Sequence, residues 1–308
     1  MLTIDNKLQK INIFGSDILI KAYICTNEER KICSGDCVSN PRISLYININ
    51  DICNAKCKFC NVHLTPTISN IDYGKLETVV NELYNKNILN WIALTGGETF
   101  LDMEVINKIL DVIYGIDPNI IVSINTNGTL LDRIEQIEAL NLVDAFHISR
   151  QHYDTDINNQ IFGMPTATKE QLLQVREKLS FEQMRFNCNM IRGYIDNPED
   201  ARKYLEFSGE IGVFKTAFVS LMELNEFCKS SYVDFTELDL IKSSFVTREL
   251  YDEDYCECKN MIYISDSGKP VDYYYRRSIK NKTADYCKQL VYTADNKLLS
   301  GFGKNQIF

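Results

Sequence analysis

The sequence predicts an α/β fold: a partial (β/α)6 TIM-like barrel followed by a small C-terminal β-hairpin domain. Three observations predict it. Apolar strands and amphipathic helices alternate through residues 41–222. Polar residues cluster at the C-terminal end of each apolar run. From residue 223 the alternation stops, and Tyr, Lys and Asp become frequent. Repeated strand–helix units imply parallel strands with helical crossovers, and chemistry at the C-terminal strand ends. The 308 residues, 45% of them hydrophobic, suffice for one large domain with a small appendage.

Residues 1–40 form an N-terminal extension, in which 10–24 reads as a hairpin turning at Gly15-Ser16-Asp17. Cys25, Cys33 and Cys37 lie here, and Cys33 and Cys37 read either as metal ligands or as unliganded thiols. Strand 43–48 then feeds a loop holding Cys53, Cys57 and Cys60. Leu76, Val79, Val80 and Leu83 repeat at helical spacing with one buried face. Strand 91–94 ends at Gly96-Gly97-Glu98, and Val105, Ile106, Ile109, Leu110 and Ile113 mark the next helix. Strand 120–124 ends at Asn125-Thr126-Asn127-Gly128, where Asn-Gly signals a turn. A helix over 130–140, a strand over 146–149 and a helix over 169–179 follow. The fifth and sixth strands are 185–191 and 214–222, with a helix near 198–207 between them.

Residues 223–308 carry a weak repeat. Cys258 and Cys287 each precede a strand, an Asp-Ser-Gly or Asp-Asn turn and a return strand. Two hairpins, each led by a thiol, read as the holder of an auxiliary cluster.

Composition narrows the function. A net charge of −9 lacks the basic footprint of a nucleic-acid binder. No apolar run approaches the length of a membrane span, and the N-terminus lacks a signal-peptide pattern, so the expected location is cytoplasmic. Clustered thiols without a secretion signal read as metal ligands rather than disulfides. Cys53, Cys57 and Cys60, spaced Cys-x3-Cys-x2-Cys, suit a [4Fe-4S] cluster with one iron left open. With His63, the same thiols are formally a zinc site. Zinc leaves Gly-Gly-Glu and the strand–helix units unexplained.

These motifs resemble those of the radical S-adenosylmethionine (SAM) superfamily. Over about residues 42–303 the chain looks like the GTP cyclase of molybdenum cofactor biosynthesis, and more broadly like radical SAM enzymes with a SPASM or Twitch auxiliary domain. The likeness rests on 53–60, on Thr95 to Glu98, on Ile148-Ser149 through Gly163, and on Tyr286 to Leu290 with Thr293-Ala294-Asp295. It implies that SAM binds the open iron and is cleaved to a 5′-deoxyadenosyl radical, which removes hydrogen from a substrate. It also implies an electron donor of flavodoxin or ferredoxin type. By position, the backbone of Phe59 would meet adenine, and Gly96 and Gly97 would pass close to the SAM amine, with Glu98 supporting that edge. Asn125 and Ser149 would face ribose and carboxylate, and Met222 would flank adenine. Glycine at position 97 suits backbone approach to a ligand. An auxiliary [4Fe-4S] cluster would take Cys256, Cys258 and Cys287, with substrate or Cys228 as a further ligand; zinc and no metal are the alternatives.

The departures matter too. Ala284 and Gly301 stand where the cyclase family has flanking cluster cysteines, Ala93 where it has an arginine for GTP phosphates, and Asn305 to Phe308 where it ends in glycines. These point away from GTP cyclisation. Arg150, His152 and Tyr153, just past a strand end, read either as catalytic acid–base residues or as a hydrogen-bonded structural trio. Arg192 reads as an anion ligand or a salt bridge. Tyr273 to Arg277 read as a substrate face or an exposed strand. His147 and Cys188 read as residues packed within strands. Residues 1–40 show no peptide-binding module, which favours a small molecule, possibly a nucleotide or sugar. A ribosomal peptide undergoing crosslinking or epimerisation is the alternative, and a non-catalytic iron–sulfur electron carrier is a third.

Overall fold

The computed structural model describes residues 7–22, 43–60, 70–234, 237–239, 246–249, 260–265, 268–274, 287, 289–301 and 305–308. Cys25, Cys33, Cys37, His63, Cys256, Cys258 and the segment 275–277 lie outside them.

Strands β1 (Lys7–Ile13) and β2 (Ser16–Ala22) form an antiparallel hairpin. Its turn residues, Phe14 and Gly15, have φ of 49° and 79°. The barrel begins with β3 (Ile43–Asn48), α1 (Tyr73–Asn85) and β4 (Leu89–Thr95). It continues through α2 (Met103–Ile116), β5 (Val122–Thr126) and β6 (Ala145–Ser149). Next come α3 (Thr155–Phe162), α4 (Lys169–Lys178), β7 (Met184–Asn189), α5 (Pro198–Ile211) and β8 (Lys215–Val219). A short helix α6 (Glu226–Ser230) precedes β9 (Val246–Glu249), β10 (Asn260–Ser265), β11 (Pro270–Tyr274), β12 (Gln289–Tyr292) and β13 (Leu298–Leu299).

The expected parallel run β3-β4-β5-β6-β7-β8 is present in that order. The expected apolar stripe of α1 is buried, as are Ile106, Ile109, Leu110 and Ile113 of α2. One predicted helix differs. Residues 130–140 contain only a 3-10 turn over Leu131–Gln136, whose start has no side-chain cap. Asn107 of α2 draws the chain out after it, donating to Gln136 O (2.8 Å) and accepting from Glu138 N (3.1 Å).

The C-terminal hairpins join the barrel's own sheet rather than standing apart from it. β11 lies parallel on β8, with β10 antiparallel beyond it. β12 lies parallel on β3, with β13 antiparallel beyond it. Each hairpin therefore extends a different edge of one sheet, with opposite polarity. Asn260, two residues after Cys258, pairs with Tyr274, which aligns with Val219 at the C-terminal end of β8. Cys287 precedes Gln289, which aligns with Ser44 at the N-terminal end of β3.

Strand alternation divides the sheet into two faces. Phe186 and Phe218 pack on Tyr204 of α5, and Phe146 packs on Phe100, on the helical side. Residues one place along turn the other way, towards the concave side. There Asn125, His147, Arg185 and Lys215 stand in one lateral row, and Ser149 aligns with Asn187. A closed eight-stranded barrel fills its interior with branched apolar side chains. This concave face is largely polar, as suits a binding surface.

Candidate active site

The Cys loop is held in place by backbone. Gly97 N donates to Asn50 O and Glu98 N to Ile52 O, each at 2.8 Å, so residues 50–52 and 97–98 run side by side. A Cβ on Gly97 would lie 2.0 Å from Ile52 O, and one on Gly96, at φ +149°, 2.4 Å from Asn50 O. The glycines are therefore required first by the approach of the chain's own backbone, and only then by any ligand.

Glu98 is fully buried, and its carboxylate forms a bracket. It accepts from Phe100 N (2.9 Å), Thr126 Oγ1 (2.6 Å) and Asn127 N (2.6 Å), tying the end of β4 to the end of β5. Burial pushes its carboxyl up, while those three donors hold it down.

On its other side the Cys loop rests on an apolar pad. Ala55, Ile161, Phe162, Ile191, Leu221 and Cys228 are buried there, with Cys53, Cys57 and Phe59 packed against them. Lys56 N donates to Phe162 O (2.9 Å), Asn225 Nδ2 to Lys58 O (3.0 Å) and the Cys228 thiol to Phe59 O (3.5 Å). The three loop thiols remain half-buried. Burial, then the neighbouring thiols, pushes Cys57 up to about 12. Among the described residues no three ligand-type side chains converge as for a single metal ion. Thiolates that each bind a different iron of a cluster have no need to converge on one point.

These residues fit a four-iron cluster with an amine-bearing ligand beside it. Three thiols lie on one loop, whose start packs backbone to backbone against Gly96 and Gly97. Asn48 Oδ1, which a Cβ on Gly96 would approach to 2.9 Å, is a buried acceptor with no partner. Trp91 Nε1, also on the concave side of β4, is a buried donor with none.

The other expected positions separate into two groups. Asn125, at the C-terminal end of β5, donates to Leu94 O (3.1 Å). Ser149 ends β6, and Met222 follows β8, where its carbonyl accepts from Leu224 N. All three share the rim with the Cys loop. Arg150, His152 and Tyr153 bond to neighbouring segments of the chain. Buried Arg150 donates to Ala167 O, Tyr153 O and Thr155 Oγ1, and stacks 4.7 Å from the Phe207 ring. His152 Nδ1 accepts from Asp154 N (3.0 Å), and its ring packs 4.2 Å from Tyr153. Tyr153 donates to Asp200 Oδ1 (3.1 Å). The trio joins the loop after β6 to α3 and α5.

Arg192 forms a bidentate ion pair with Glu237 and also bonds Tyr232 O, which is the salt-bridge reading. Cys188 is a buried core residue. His147 lies on the concave face, held down to about 3 by burial and by Arg185 and Lys215. Cys287 is a buried thiol whose one S–H lies within reach of two carbonyls, Gln289 O (3.2 Å) and Ser300 O (3.3 Å), with its N–H on Leu19 O. It lies at the N-terminal end of the sheet, and Asn260 at the opposite end.

Asn54, Thr126, Asn127 and Thr129 were missed as site residues, since Asn127-Gly128 reads as a plain turn. The signal was there: an amide and hydroxyl run over 125–129, at a strand's C-terminal end.

The radical SAM superfamily pattern matches residues 47–208, over half the chain. The chain belongs to the radical SAM superfamily. As a radical SAM protein it is an enzyme, and membership implies the [4Fe-4S] cluster and SAM. It is 31% identical over 130 residues to the probable GTP 3′,8-cyclase of Thermoplasma volcanium, covering 42% of this chain and 39% of that protein. Among solved structures it is similar to Streptococcus suis SuiB bound to S-adenosylmethionine. The TM-score is 0.60 at 13% identity, covering 86% of this chain and 62% of SuiB. SuiB bound to precursor peptide SuiA matches equally, with TM-score 0.60 and 13% identity over 85% of this chain and 60% of that one. Native anSMEcpe with bound AdoMet gives 0.54 at 16% identity, covering 84% of this chain and 74% of that one. At such identities these structures speak for the fold alone. The chain spans less than two thirds of the length of the cyclase and of SuiB. Among the described residues no helix is long and apolar enough to cross a membrane.

Proposed function

We propose that this radical SAM enzyme modifies a peptide substrate on the concave face of its sheet. The observation that carries the reading is the state of the two arginines that follow β6 and β7. Arg150 is buried and spends both Nη groups on Ala167 O, Tyr153 O and Thr155 Oγ1, leaving only a buried Nε without a partner, and Arg192 is paired with Glu237, so neither turns a free guanidinium edge towards a nucleotide's phosphates. With Ala93 also in place of an arginine, the described rim does not favour a triphosphate. It offers amides and hydroxyls, among them Asn125, Ser149 and Asn187, which suit the hydrogen bonds of a peptide backbone. Similar structures fit this, since one holds SuiB with its precursor peptide and another anSMEcpe with a peptide.

Cys53, Cys57 and Cys60 would hold the four-iron cluster, with SAM over Gly96 and Gly97. Bound there, cluster and SAM supply a 5′-deoxyadenosyl radical that takes hydrogen from an unactivated C–H bond. The chain's own work is positional. The Gly-Gly-Glu backbone fixes the Cys loop, Glu98 locks the β5 loop to it, and the concave face holds the target carbon and excludes water. An electron donor of flavodoxin or ferredoxin type completes the reading.

The test uses full-length protein reconstituted without air, with SAM and dithionite. Deuterium from a labelled candidate peptide should pass into 5′-deoxyadenosine, with a mass change in the peptide. Turnover of GTP in its place would restore the small-molecule reading, which the cyclase identity favours.

A further inference from the structure

The loop after β5 carries more hydrogen bonding than a turn needs. Asn127 donates its backbone N–H to Glu98 and its side-chain Nδ2 to Asn54 Oδ1 (2.8 Å). The same Nδ2 lies 3.6 Å from Cys53 Sγ, within the longer reach of sulfur. Asn54 Nδ2 donates to Thr129 Oγ1 (2.8 Å). Thr129 gives both its N–H (2.9 Å) and its hydroxyl (2.7 Å) to Asn127 Oδ1. Two amides and one hydroxyl thus close a ring around the start of the Cys loop.

The ring settles which end of the Asn127 amide meets sulfur. Its oxygen already accepts two donors from Thr129, so its NH2 group is the end that faces Cys53. Glu98 fixes the backbone of the same residue from the other side. The arrangement holds an N–H donor against a sulfur that is a thiolate whenever it binds iron. A donor to such a sulfur stabilises the extra negative charge of a reduced cluster, and outer hydrogen bonds of this kind set cluster potentials.

We propose that Asn127 is a positioning residue that donates an N–H···S hydrogen bond to the Cys53 thiolate and raises the reduction potential of the cluster held by Cys53, Cys57 and Cys60. This rests on the cluster reading above. Thr129 orients the Asn127 amide, and Asn54 links the ring back to the Cys loop.

The experiment is a redox titration followed by electron paramagnetic resonance, on the full chain reconstituted without air, with iron and sulfide counted separately. Asn127→Ala should keep the wild-type iron count. Its ratio of reduced to oxidised cluster at a fixed poise should fall about tenfold, equal to about 59 mV for a one-electron couple. Thr129→Val, which keeps Asn127 but frees its amide to turn, should shift the midpoint the same way by less. Thr129→Ser should restore the wild-type value. Equal midpoints in wild type, Asn127→Ala and Thr129→Val at equal iron content would overturn the inference and leave the cluster standing. A wild type without a four-iron signal would overturn both. Should Asn127→Ala lose its iron, Thr129→Val decides.

Discussion

The loop after β3 and the loop after β6 leave the same end of the same sheet, and both are rich in reactive side chains. They differ in what anchors them. Around the thiol loop, main-chain groups of Asn50, Ile52, Lys56 and Lys58 make the bonds that hold it. In the loop after β6 the side chains are the anchors: the Arg150 Nη groups, His152 Nδ1 and the Tyr153 hydroxyl bond to neighbouring chain. A strand-end position makes a residue available only when something else holds its loop.

The contrast can be broken or sharpened by substitution. The largest effect is expected at Cys57. Cys57→Ala should bring iron retention and 5′-deoxyadenosine formation to background, while the melting temperature of the iron-free protein stays at the wild-type value; a matching collapse in stability would make the thiols structural. Arg150→Ala comes next and should act in the opposite sense. It removes three hydrogen bonds from a buried guanidinium, so denaturant titration should show a loss of roughly 2–4 kcal/mol. Iron bound per folded molecule should stay the same, and a selective loss of activity at intact stability would return Arg150 to the catalytic list.

A smaller effect is expected at His147. Its folded value near 3 lies below the ordinary imidazole value of 6.5, so between these the unfolded chain binds a proton that the folded chain refuses. This contribution is complete above pH 6.5 and is lost as pH falls towards 3. His147→Asn should therefore flatten the fall in melting temperature between pH 6.5 and 4, by roughly 2–4 °C in scanning calorimetry. The smallest effect is predicted for Cys287→Ser, which should leave the iron count unchanged; fewer irons would bring Cys287 back as a ligand.

Much of the barrel was legible because apolar runs with flanking polar ends report strands directly. The stripe Leu76, Val79, Val80 and Leu83 gave α1 in the same way. The Cys spacing and Gly-Gly-Glu were legible as chemistry. The C-terminal hairpins were read correctly as hairpins but not placed, because a Cys–strand–turn–strand pattern is local. Which edge such a hairpin joins, and in which direction, depends on pairing across hundreds of residues. Glu98 as a bracket was not legible either. Its partners Thr126 and Asn127 are ordinary residues whose role exists only once β4 and β5 lie side by side.

The strand that leads into the thiol loop has its outer side closed by residues 289–292, which are made more than two hundred positions later. Until they arrive, Ser44 to Ile47 present unpaired amides and carbonyls, the kind of surface that recruits other chains. Completion of the sheet depends on contacts between distant parts of the sequence, and such closures are slow. During synthesis the iron-binding loop hangs from an unfinished edge, so trimming the last twenty residues would expose the very strand that supports it.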